Sequence, residues 1–90
     1  MKFETLEALK EYLTRQCFTD TMAFESPSYI DAIVGISTDG RLIYRRDLMV
    51  RHLCEQDGMT ADAADAFIDS ITMDALANMG EKAPIIMEDL

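Results

Sequence analysis

Apolar side chains recur along this chain with two different periods, and the change of period marks out its elements. Leu6, Leu9, Leu13 and Cys17 follow three- and four-residue steps, while Glu4, Glu7, Glu11 and Arg15 face the other way. That spacing predicts an amphipathic helix over 4–17, with Thr5 as N-cap and Glu11–Arg15 as a favourably ordered i,i+4 ion pair. Residues 18–28 (FTDTMAFESPS) show no period and mix turn formers with Phe18, Met22 and Phe24. They predict a loop whose apolar side chains fold down onto the domain. Over 29–37 the period becomes two, and Ile30, Ala32, Val34 and Ile36 fall on one face of a predicted strand. Thr38-Asp39-Gly40 reads as a turn and 41–45 as the return strand. A two-residue turn would set Val34 opposite Arg45. A three-residue loop with Gly40 left-handed sets Ile36 opposite Leu42 and Val34 opposite Tyr44. The second register keeps the apolar face apolar and is the one expected, since a one-residue slip turns every side chain over.

The helical period returns after the hairpin. Asp47 is placed to cap a helix over 48–56, which ends at Gly58. Thr60 caps the next, with Asp62 near its positive end and Ala64, Phe67, Ile68, Ile71 and Ala75 as its buried stripe. Ser70 and Thr72 interrupt that stripe, leaving a short helix over about 72–79 that closes at Gly80. Past Pro84, Ile85-Ile86-Met87 reads as a third strand added to the 29–45 hairpin, because two strands alone are marginal. The order α-β-β-α-α-β predicts a single α+β domain over 1–90, with helices on one face of a small antiparallel sheet.

Composition narrows the function classes. The longest apolar run, residues 32–36, is far short of the ~20 residues that span a bilayer, and the acidic start shows no signal-peptide pattern, so a cytoplasmic location is expected. Cys17 and Cys54 lack CxxC spacing and sit on apolar helical faces, which predicts buried free thiols and no zinc site. Seven methionines suit an irregular small core.

Charge is segregated. Residues 1–40 carry seven acids and three bases, residues 41–51 four arginines and one aspartate, and residues 52–90 nine acids and one lysine, which gives −4, +3 and −8, or −9 in all. A body this negative repels nucleic acid and anionic membranes and suits a basic protein partner. Asp62, Asp65 and Asp69 share one helix face, where successive carboxylates lie about 4.5–6 Å apart along the axis, close to the phosphate spacing of a nucleic-acid strand. Glu55, Asp57 and Asp74 extend the patch, so an acidic partner-binding face that mimics nucleic acid stands beside the plainer reading of a solvated surface. Arg41, Arg45, Arg46 and Arg51 form a basic patch, fitted to internal acids, to an external anion, or to the acidic face of a second copy in a homodimer.

Catalytic chemistry finds little support. His52 is the lone histidine, and its two-residue offset from Cys54 on a helix turns the two apart. No glycine-rich phosphate loop is present, so the reading is non-enzymatic, without cofactor or metal. The stretch YIDAIVGISTDGRLIYRRDLMVRHLCEQDGMTADAADAFIDS, with the ending GEKAPIIM, resembles a group of short acidic proteins of gut bacteria and their phages and mobile elements. The resemblance covers roughly residues 29–87 and rests on the DGR hairpin, the DGMT junction and the API-IM tail. It implies an inhibitor of a host defence enzyme, of the anti-CRISPR or anti-restriction kind, docked on the basic nucleic-acid-binding surface of a nuclease complex. It supplies no catalytic residues. The rivals are a self-associating structural protein and, less favoured, a small ligand-binding or enzymatic domain.

Overall fold

A computed structural model describes residues 3–25 and 27–88; the ends of the expected 1–90 domain and Ser26 of the expected loop lie outside them. Helix α1 (Leu6–Arg15) begins where Thr5 Oγ1 accepts the Ala8 N–H at 3.1 Å, and it buries Leu9 and Leu13. It stops two residues earlier than its period suggests. Phe18 N–H donates to the Leu13 carbonyl at 2.8 Å and Cys17 N–H to that of Thr14 at 3.1 Å, a Schellman closure. Cys17 occupies its left-handed position at φ +65°, where glycine is usual, and the turn swings its thiol into solvent. The buried thiol expected at Cys17 is therefore corrected, while Cys54 is half-buried.

Residues 29–32 are not strand. Tyr29 is left-handed at φ +50°, and Ile30–Ala32 make a single 3₁₀ turn before β1 (Ile33–Ile36). The loop is the three-residue form. Gly40, at φ +83°, donates its N–H to the Ser37 carbonyl at 3.0 Å, and Ser37 N–H donates to the Arg41 carbonyl at 2.8 Å. Ile36 pairs with Leu42 of β2 (Leu42–Arg45) as expected, but Tyr44 faces Ile33 instead of Val34. A bulge between Ile33 and Gly35 takes up one residue and turns Val34 outward, 40% exposed. Ala32 and Ile33, adjacent residues, are thereby both buried.

Helix α2 (Arg46–Asp57) follows β2 without a loop, and Asp47 lies in its first turn instead of capping it. Left-handed Gly58 ends it. Thr60 caps α3 (Ala61–Phe67) through Oγ1, which accepts the Ala63 N–H at 3.2 Å. The interruption expected at Ser70 and Thr72 takes the form of a π turn, Ile68–Thr72, running straight into α4 (Met73–Ala77). A π turn closes i to i+5 and holds more residues than an α turn, so the inward positions step by four. Ala64, Ile68 and Thr72 are buried, whereas Ile71 is 55% exposed and Ala75 faces solvent, which corrects the stripe drawn at the α period.

The class is α+β, a β-hairpin with a C-terminal strand, β3 (Ile85–Met87). One detail departs from expectation: β3 lies beside β2 in parallel, with Tyr44 opposite Ile86, and the sheet is mixed in the order β1-β2-β3. A parallel neighbour needs a crossover of a dozen or more residues, which 46–84 supply. Leu42 and Tyr44 point into the core and Ile86 packs on it, while Ile43, Arg45 and Met87 alternate outward. Phe24 lies edge-on to both Tyr29 and Tyr44, at 5.5 and 4.9 Å between ring centres. The Phe24 N–H donates to Tyr44 Oη at 3.2 Å, and burial pushes the Tyr44 phenol up to about 12.

Candidate functional site: an acidic helical face and a groove along the sheet edge

The acidic row is organised by one arginine. Arg46 stands at the start of α2 with its side chain only 16% exposed. Its Nη2 donates to Asp65 Oδ1 and Asp69 Oδ1, both at 2.8 Å, and its Nε donates to Asp65 Oδ1 at 3.1 Å. Glu88 Oε1 lies 3.7 Å from Nε. Hydrogen bonds to Asp65 first and Asp69 second hold the guanidinium above its ordinary pKa. Two of the three carboxylates therefore converge on one cation, yet their side chains stay 57% and 61% exposed, with oxygens left for a partner. Asp62, Asp74, Glu55 and Asp57 are exposed, and their carboxylates have no hydrogen-bond or ion-pair partner among the described residues.

The four arginines do not form one open patch. Arg41 donates through Nε to the Ala83 carbonyl at 2.7 Å, tying the hairpin to the segment before β3. Arg45 grips Asp47 with Nε and Nη2 at 3.0 and 2.6 Å, and this holds the Asp47 carboxyl below its ordinary pKa. Arg51 is exposed on α2. It lines a hollow of about 800 Å³ with Glu4, Asp31, Glu55, Phe3 and Leu48. Members of the expected acidic and basic sets, Glu55 and Arg51, thus share one concavity.

His52 is buried, packed against Tyr29 with ring centres 5.5 Å apart. Its Nδ1 lies 3.5 Å from Asp31 Oδ2 without hydrogen-bond geometry. Among the described residues neither cysteine thiol hydrogen-bonds to the His52 ring, so no nucleophile–base pair forms there. Among the described residues no three His, Cys, Asp or Glu side chains gather as a metal site, and no helix is long and apolar enough to cross a membrane.

A feature that the sequence did not announce lies between α1 and β1. An apolar hollow of about 260 Å³ is walled by Leu9, Tyr12 and Leu13 on the helix, by Ile33, Val34, Gly35 and Ile36 on the strand, and by Leu42 and Phe3. Phe3, tilted against Tyr12 with ring centres 5.4 Å apart, also lines the larger acidic hollow, so the two concavities share this residue. The hint in the sequence was indirect: an apolar α1 face wider than two buried leucines fill. The chain matches no protein-family model, no curated protein and no solved structure.

Proposed function

We propose that this chain is a non-enzymatic, cytoplasmic protein-binding module whose acidic second half docks on a basic protein surface. The observation that carries this reading is the Arg46 clamp. Asp65 and Asp69 are held by one poorly exposed guanidinium, while Asp57, Asp62 and Asp74 are exposed with carboxylates unpaired among the described residues. Carboxylates fixed before binding lose less side-chain entropy when a partner arrives, so the face is better prepared than a solvated row would be. The net −8 of residues 52–90 steers it toward cationic surfaces. The finer reading is a basic groove that otherwise holds nucleic acid, as on a host nuclease complex, with this chain as its phage- or mobile-element-encoded inhibitor. That reading draws on the carboxylate spacing and on the family resemblance. The rival, a homodimer built on the arginines, would have to break the Arg41, Arg45 and Arg46 contacts described above.

The test reverses charge without disturbing the clamp. Asp57→Lys, Asp62→Lys and Asp74→Lys together leave Arg46, Asp65, Asp69 and Glu88 in place. Capture of nucleic-acid-binding proteins from host lysate should fall for this variant, and for the parent as salt rises. Capture of the same proteins at equal yield by the triple variant would refute the acidic-face reading. Salt-labile dimerisation of the parent would favour the rival.

A further inference from the structure

We infer that the open edge of β1 receives an extended segment of a partner protein that carries a basic residue at one end, a surface distinct from the acidic helical face. The backbone is the first observation. Because β2 is central in the sheet, β1 has one side without a neighbouring strand among the described residues. Ser37 N–H donates to the Arg41 carbonyl across the hairpin, and an antiparallel ladder alternates hydrogen-bonded and non-hydrogen-bonded pairs. Ile36, paired with Leu42 one step along, therefore turns its N–H and C=O away from β2, toward an incoming chain.

The hollow beside that edge is the second observation. Its walls are apolar, and its length follows the strand from Ile36 back to Ile33. Alternate side chains of an added strand would enter it, and they must be apolar to do so. Charge is the third. Phe3 lines both this groove and the larger hollow, where, among the described residues, Glu4, Asp31 and Glu55 stand against Arg51. Asp31 lies two residues before β1, so this acidic end sits past the start of the strand. A lysine or arginine ending the segment finds its counter-charge there. A second copy of this chain is the poorer occupant, because both bodies carry −9. A purely apolar ligand would leave the Ile36 amide and the carboxylates unused.

The experiment titrates ¹⁵N-labelled full chain with four end-blocked peptides of alternating threonine and valine. One ends in lysine at its N-terminus, one in lysine at its C-terminus, one in glutamate, and one carries no charge. One lysine peptide should give saturable shifts at residues 33–37 and on the inner face of α1. The glutamate peptide should bind at least about tenfold more weakly. Glu4→Lys with Glu55→Lys, both at exposed positions, should reverse that preference while amide dispersion is retained. The Asp57, Asp62 and Asp74 variant should bind the lysine peptide as the parent does, which separates this surface from the acidic face. The inference is overturned by shifts absent from 33–37 with all four peptides, by equal affinity for lysine and glutamate peptides, or by edge shifts that follow protein concentration alone.

Discussion

Thr72→Val isolates one hydrogen bond on which the second half of the fold depends. Thr72 Oγ1 and Tyr29 Oη are 2.7 Å apart, with Thr72 4% exposed and Tyr29 fully buried. Valine matches threonine in shape, so the change deletes the hydroxyl and little else. Tyr29 Oη then loses its Thr72 partner in a buried position, and a buried polar group left unsatisfied costs about 1–3 kcal/mol. The added methyl gains some apolar burial in return, so a net loss of about 1–2 kcal/mol is expected. For a domain of this size that is a fall in Tm of roughly 5–15 °C. Tyr29→Phe should cost less, because a helical threonine hydroxyl can turn back to the carbonyl four residues earlier. The double variant should then be more stable than the sum of single losses by about 1 kcal/mol. Urea unfolding followed by far-UV circular dichroism reads all three. Additive losses, or a Thr72→Val variant within about 0.5 kcal/mol of the parent, would mean that this bond does not couple the π turn to residue 29.

Cys17→Gly should raise stability by about 0.5–1 kcal/mol in thermal unfolding, because glycine takes the left-handed Schellman position without a Cβ penalty. Ile71→Ser should change stability by less than about 0.5 kcal/mol, whereas Ile68→Ala should cost about 2–5 kcal/mol; a reversal in urea melts would place the α period, not the π turn, in charge of this helix. The Glu25, Asp39 and Asp47 carboxyls are held low by Lys10, by the Ser37 hydroxyl and by Arg45 respectively. A depressed folded pKa adds stability above the unfolded value that is lost as pH falls through the folded one, so unfolding midpoints should drop below about pH 4 and stay level from about pH 6 to 8. Gly40→Ala should cost about 1 kcal/mol or more, since φ +83° disfavours a side chain and the new Cβ would meet Phe18 Cδ1 at 3.4 Å.

What could be read from sequence was local. Thr5 and Thr60 cap through the hydroxyl reach of three residues, and Gly40 and Gly58 mark left-handed positions, all decided within one turn of chain. Several of the misreadings came from distant partners. Val34 leaves the inner face because Tyr44 pairs with Ile33, an outcome of packing across the sheet that a period of two cannot encode. β3 runs parallel because the helices carry the chain back to the start of β2. Asp62, Asp65 and Asp69 were visible as a row, but the tie of Asp65 and Asp69 to Arg46 spans 19 and 23 residues and follows from how α3 and the π turn lie beside the start of α2. The β1 groove is composed of three separate segments, each of which reads alone as ordinary core.

The π turn carries a consequence for chain length. Its inward residues Ala64, Ile68, Thr72 and half-buried Leu76 are spaced four, four and four. Deleting the exposed Ser70 would make the spacing four, three and four, which an ordinary α-helix satisfies without underwinding. Thr72 would keep its place opposite Tyr29, and the later residues would move back by a single position. A one-residue deletion, commonly ruinous inside a helix, should therefore be absorbed here, whereas a deletion in Ala61–Phe67 would throw the same inward set out of phase.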